Sequence, residues 1–202
     1  TIESDDIELV NISKEGYVFN GWDLNGEVVT KVGSGSFGNI IITALWTPNT
    51  YSISYVSKYS DINNDNPIVY NTDSEITLEE AYFDTYHTFE GWYLDPDFEN
   101  GIEDIQGSRM ENLTLYAKWT FEGTYISSAS DFAAIVYDPS GAYELTNDIS
   151  ISATICDSTN PFNGYFNGNG YGVISETVAP FEISNGTIKN LTTTKQVCYK
   201  NG

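Results

Sequence analysis

The strongest constraint on this chain is that its first half is written twice. Phe-x-Gly-Trp-x-Leu occurs at Phe19–Leu24 and again at Phe89–Leu94, an offset of 70. Downstream, Asn39–Trp46 aligns with Asn112–Trp119 at an offset of 73, sharing a terminal Ala-x-Trp. Upstream, Ile7-Glu8-Leu9 aligns with Ile76-Thr77-Leu78 at an offset of 69. Repetition on this scale means one supersecondary unit used more than once. The small changes of offset place insertions in loops, where lengthening costs little.

The unit reads as β. Leu113, Leu115, Ala117 and Trp119 alternate with Thr114, Tyr116 and Lys118, and Ile40, Ile42, Ala44 and Trp46 repeat the pattern. A period of two with one buried face is a strand signal. Phe-x-Gly-Trp predicts a second strand whose glycine marks a bulge or a close aromatic. The second copy opens with a further alternating strand, Tyr51-Ser52-Ile53-Ser54-Tyr55, for which the first copy has no counterpart. The expectation is a partial repeat at 1–48, a complete one at 49–120, and more copies preceding them in a longer parent protein.

Residues 123–202 differ in character. Seven acids and three bases give a charge of −4, against −17 for residues 1–122. Ser130–Tyr137 predicts a short helix, capped by Ser130 or Asp131, with Phe132, Ile135 and Val136 on its apolar stripe. Short β segments then recur every 20 to 25 residues, at Tyr143–Ile149, Phe162–Ile174 and Gly186–Leu191, separated by Asn and Gly. That spacing suits a coil of stacked β rungs whose corners need positive φ.

The overall charge of −21 with a pI near 4.1 argues against nucleic acid, whose phosphates require Lys and Arg, and against anionic lipid. No apolar run is long enough for a membrane span. One His (His87) and two Cys (Cys156 and Cys198, 42 apart) predict no zinc site and no thioredoxin-like chemistry. The two thiols read as buried, with a single disulfide left open as an alternative. Gly33-Ser34-Gly35-Ser36-Phe37-Gly38 is a literal GxGxxG without the helix a phosphate loop needs, so it reads as a hairpin loop. Asp61-Ile62-Asn63-Asn64-Asp65-Asn66 starts like a calcium loop but lacks Gly at position 6 and Glu at position 12, so it reads as an acidic tip. His87 stands where the first copy has Tyr17 and reads as an aromatic-sized packing position.

The pattern Tyr51-x-Ile53-x-Tyr55, Asn66-Pro67, Ile76-x-Leu78, Phe89-Glu90-Gly91-Trp92-Tyr93 and Asn112–Trp119 closely resembles the internalin-type B repeat (the Listeria–Bacteroides repeat). The resemblance implies small β-grasp-like modules strung in tandem on bacterial surface proteins. The last stretch, with Leu145-Thr146-Asn147-Asp148-Ile149, Phe162–Gly170 and Ile188-Lys189-Asn190-Leu191, resembles the start of a GLUG-type right-handed β-helix surface domain. A mostly β fold is therefore expected: tandem modules plus a short right-handed β-helix with a capping helix. The implied role is a non-catalytic stalk or adhesion module, extracellular and attached to the cell wall or surface. No cofactor, metal or catalytic residue is expected. The expected partner is a host or neighbouring-cell surface protein or glycan, without nucleic acid or membrane insertion, met by a monomer. The alternative is a glycan-binding or polysaccharide-degrading β-helix, with Tyr165 and Tyr171 as candidate stacking rings.

Overall fold

A computed structural model describes residues 5–194. It is mostly β, with several sheets and one short helix, as the alternating pattern predicts. The chain divides into two compact units, Thr1–Tyr82 with Phe89–Lys118, and Phe83–Thr88 with Trp119–Gly202.

In the first unit the opening strands are β1 (Ile7–Glu8), β2 (Tyr17–Leu24), β3 (Glu27–Val29), β4 (Lys31–Val32) and β5 (Thr43–Pro48). β2 lies between β3 and β5 in an antiparallel sheet, and β1 pairs with β4. The complete repeat adds β6 (Thr50–Val56) and β7 (Val69–Asn71), then β8 (Glu75–Thr77), β9 (His87–Tyr93), β10 (Gly101–Ile102), β11 (Asp104–Gln106) and β12 (Leu113–Phe121). Its sheet runs β10-β9-β12-β6-β7, and β8 pairs with β11. The pairing of the first copy thus recurs strand for strand: β3-β2-β5 corresponds to β10-β9-β12, and β1-β4 to β8-β11. Even the register repeats, Trp22 facing Val29 and Trp92 facing Ile102.

The hairpin after Phe-x-Gly-Trp explains the jump in offset. β2 and β3 are joined by Asn25-Gly26, both at positive φ, as a two-residue hairpin turn demands. The second copy replaces this with Leu94–Asn100, where the Asp95 carboxylate accepts from the backbone N–H groups of Asp97, Glu99 and Asn100. Those hydrogen bonds, chiefly that from Glu99, hold the Asp95 carboxyl below its ordinary value. The predicted bulge also appears: the β2–β5 register shifts between Phe19 and Gly21.

The copies touch within this unit. The Gly16 carbonyl accepts from Asn49 N–H at 2.8 Å and from the Thr72 hydroxyl at 2.6 Å. The Tyr17 hydroxyl donates to Asp73, and the Lys14 ammonium lies 3.4 Å from the Tyr17 ring centroid.

In the second unit two parallel sheets take alternate short strands. One contains β13 (Thr124–Ile126), β14 (Ala142–Leu145), β16 (Tyr165–Asn167) and β18 (Thr187–Lys189), in that order. The other contains β15 (Ile149–Ser150), β17 (Gly172–Ile174) and β19 (Thr192–Thr193). Partner residues such as Ala142 and Tyr165, or Tyr165 and Thr187, lie 23 and 22 positions apart, matching the predicted spacing. Phe132, Phe162, Phe166 and Phe181 meet between them, with ring centroids 4.9–5.9 Å apart, and all four are essentially inaccessible.

Two asparagine pairs bridge successive turns, Asn185 to Asn163 and Asn190 to Asn167. Gly164 and Gly186 let the turns approach: a Cβ on Gly164 would sit 2.0 Å from the Gly141 carbonyl oxygen, and one on Gly186 2.2 Å from that of Gly164. Asn169, Gly170 and Asn190 take positive φ, as the Asn/Gly corners predict.

The helix cap differs from expectation. Helix α1 spans Ala129–Ala134, followed by a 3₁₀ turn at Ile135–Tyr137, and its N-cap is Ser128 rather than Ser130 or Asp131. Ser128 Oγ accepts from Asp131 N–H while the Asp131 carboxylate accepts from Ser127 N–H. This Ser128 cap, with Asp131 tied back to the residue before it, begins the helix two residues earlier than the apolar stripe suggested. Cys156 is buried; Cys198 and its pairing lie outside the described residues.

Candidate functional site

The most repeated concave feature is a cleft beside each Phe-x-Gly-Trp strand. In the first copy it is about 270 Å³, between Leu9, Phe19, Trp22 and Val28. In the second it is about 340 Å³, between Leu78, Phe89, Trp92 and Ile102. Phe and Trp meet edge to face in both, at centroid distances of 5.5 and 5.2 Å. The indole N–H donates at 2.9 Å to the carbonyl of Val10 in one copy and of Glu79 in the other. Since Val10 and Glu79 are equivalent positions, one hydrogen bond fixes the tryptophan identically in both.

The rims differ. Asn11, Asn20 and Thr30 border the first cleft, while Glu80, Glu90 and Glu103 occupy the same places in the second. An apolar floor with a polar rim can bind. No His, Cys or Lys stands among the lining residues.

The predicted stacking rings separate. Tyr171 is 38% exposed, whereas Tyr165 is only 3% exposed, so Tyr165 offers no ring to a glycan. It opens β16 on the face opposite the core that Phe166 enters, and the Phe83–Thr88 segment covers it there. Its hydroxyl donates to Asp84 at 2.6 Å, and its ring packs against Tyr86 at 4.4 Å.

Tyr165 belongs instead to a buried charge cluster that the sequence reading missed. His87 is inaccessible, and its Nδ1 lies 2.6 Å from Asp84 while its Nε2 lies 3.1 Å from Glu144, itself wholly buried. Asn167 donates to the same Glu144 oxygen at 3.2 Å. Lys189 reaches Asp84 at 3.1 Å and lies 3.7 Å from the Phe83 ring centroid. Phe121 stacks on the imidazole at 4.9 Å.

The aromatic-sized packing expected of His87 is therefore present, but the ring also bridges two carboxylates. Burial alone would raise the Asp84 carboxyl; hydrogen bonds from His87, Tyr165, the Tyr86 backbone and Lys189 outweigh it and hold it at about 2. The one available signal was that His87 breaks the aromatic pattern of its repeat.

The calcium-like loop is structural. Asn66 is buried, accepts from Glu79 N–H at 2.7 Å and donates to Glu79 O at 2.8 Å. Among the described residues no group of three His, Cys, Asp or Glu side chains is placed to hold a metal. No helix of the described residues is long and apolar enough to cross a membrane.

Residues 51–118 match the family model of the Listeria-Bacteroides repeat domain. A relative from Evansella cellulosilytica, provisionally named a Gly-rich membrane protein, is 28% identical over 153 residues, covering 64% of this chain. The match spans 16% of that relative's length. No solved structure matches. The stretch similar to the Listeria-Bacteroides repeat domain thus carries most of β6–β12 and the whole of the second tryptophan cleft.

Proposed function

We propose that this chain is part of a bacterial surface protein and serves as a non-catalytic spacer and adhesion module. The observation that carries this reading is the duplication of one β module, down to the tryptophan hydrogen bond. One copy matches a repeat family, and the resemblance that family carries is to tandem surface modules. The earlier residues 5–48 are read as a second copy of that family, and residues 123–194 as rungs of a right-handed β-helix. The parallel order of β13, β14, β16 and β18 supports the latter.

The acidic excess of residues 1–122 favours a solvated, non-aggregating module. In this reading the partner is a protein or glycan on a host or neighbouring cell, and Tyr171 is the remaining ring for sugar stacking.

Forced extension of the purified chain tests the spacer role: discrete resisted unfolding events from both units are expected, and featureless extension overturns it. A glycan and matrix-protein array tests adhesion. Selective capture, weakened by Tyr171→Ala if the ligand is a glycan, supports it. Turnover of any polysaccharide overturns the non-catalytic reading.

A further inference from the structure

The second tryptophan cleft lies wholly within the complete repeat, its lining drawn from Thr77 to Glu103. Its floor is apolar: Leu78 and Phe89 are half-buried, Trp92 and Ile102 buried. The floor is also fixed. Trp92 donates to the Glu79 carbonyl and packs edge-on with both Phe89, at 5.2 Å, and Tyr55, at 4.9 Å. A guest meets a surface already in place and loses little affinity to ordering it.

The rim carries charge of one sign. Glu80, Glu90 and Glu103 line the opening and are exposed. A second hollow of about 560 Å³ shares Glu90, Trp92, Ile102 and Glu103 with the cleft and adds Asp104. Among the described residues no Lys or Arg forms an ion pair with any of these four carboxylates. Like charges gathered without an internal counter-charge repel one another, and a cationic guest relieves that repulsion. The first copy builds the same floor but surrounds it with Asn11, Asn20 and Thr30. The charge is thus a property of this cleft and not of the shared strand pairing.

Charge also narrows the occupant. With 29 acids against 8 bases, a second copy of this chain is repelled from the rim, and so is nucleic acid. What fits is an apolar side chain for the floor with positive groups beside it for the rim. Neighbouring residues of a polypeptide supply both, because Lys and Arg lay their stems on apolar surface while their charged ends reach outward.

We propose that the cleft of the complete repeat docks a basic segment of a partner protein, an aliphatic residue flanked by Lys or Arg. The aliphatic side chain sits against Leu78, Phe89 and Trp92, and the flanking cations pair with Glu80, Glu90 and Glu103. Tyr171 takes no part, so failure here leaves the adhesion reading standing.

The test is an NMR titration of the full chain with the synthetic peptide acetyl-Lys-Leu-Lys-amide. Saturable shifts at the Phe89–Trp92 amides and the Trp92 indole N–H are expected. They should weaken several-fold when salt is raised from about 50 to about 300 mM. Glu80→Gln, Glu90→Gln and Glu103→Gln together, all at exposed positions, should cut affinity about tenfold or more. Acetyl-Glu-Leu-Glu-amide and acetyl-Lys-Gly-Lys-amide should bind no better than the peptide does to that triple variant. Absence of saturable shifts, equal shifts at Phe19–Trp22 in the first cleft, or affinity that survives the triple substitution overturns the proposal. Equal shifts at Phe89–Trp92 from an uncharged xylo-oligosaccharide overturn it as well.

Discussion

Placed side by side, the two repeats share nearly all their wiring and little of their burial. Each has the same paired strands, the same Phe–Trp edge contact and the same indole hydrogen bond. Yet Trp92, Ile102, Ile105, Leu113, Leu115 and Ala117 are buried in the second copy, while of the first copy's equivalent positions only Val32 is. The difference traces to β6 and β7. Strand pairing and aromatic geometry follow from local pattern; closure of the core waits for the flanking strand. A small module has little area to spare, so one edge strand decides which copy has an interior.

That comparison can be broken most forcefully at the positions preceding Phe-x-Gly-Trp. His87→Ala takes one partner from the buried Glu144 and one from Asp84. Leaving a buried polar group short of a partner costs about 1–3 kcal/mol, more where it is charged, whereas Tyr17→Ala, at the equivalent place, should cost far less. Chemical denaturation of both variants measures the gap, and equal losses would show that the two positions do the same job.

The tryptophans come next. Trp92→Ala should destabilise by about 3–5 kcal/mol, the usual cost of a large buried aromatic. Trp22→Ala should cost less than half as much, because its side is open. Ile53→Ala should cost about 2–4 kcal/mol and speed exchange at Leu113–Tyr116, making the complete repeat resemble the partial one. If exchange there is unchanged, β6 is not what closes the core.

Contact between copies is tested at Gly16. Its φ is +77, and a Cβ would meet Thr72 at 2.7 Å, so Gly16→Ala combines left-handed strain with a clash and should lose about 1–3 kcal/mol. Thermal melting by tryptophan fluorescence reads this directly.

The smallest effects are pH-dependent and sharpen the same contrast. Burial pushes the Tyr55 hydroxyl up to about 12. Neutral Tyr55 therefore stabilises the fold fully below pH 10, and that contribution is lost as pH rises from 10 towards 12. Tyr55→Phe should flatten this alkaline decline. At the other end Asp84, held at about 2, contributes stability above pH 4 that is lost as pH falls towards 2; Asp84→Asn should remove that acid limb.

Much of the fold was legible. Alternation at Leu113–Trp119 predicted β12, the glycine in Phe-x-Gly-Trp predicted the bulge, and the Asn/Gly spacing predicted the stacked turns, because each is a short-range signal. Asn25-Gly26 between Leu24 and Glu27 was an available hairpin signal that went unused. What sequence could not supply was side-chain surroundings. Tyr165 and Tyr171 are alike as letters, and only the packing of the distant Asp84 and Tyr86 over β16 covers one of them. Glu144 and His87 lie 57 residues apart, and no local pattern announces that a carboxylate amid Tyr143 and Leu145 faces a histidine. The helix start was missed because Ser128 and Asp131 act as a pair, which an apolar stripe does not reveal.

The glycine column at Gly141, Gly164 and Gly186 governs how the second unit can change in length. Gly164 is matched to the carbonyl of Gly141 and Gly186 to that of Gly164, so a change of length within a turn has to be taken up in the loops, leaving the glycines in line. Growth that preserves the column must insert a whole turn, about 22 residues, carrying its own glycine and asparagine. Height along the stack is quantised: evolution or a designer can raise this unit only by copying turns, while changes of length within a turn stay in its loops.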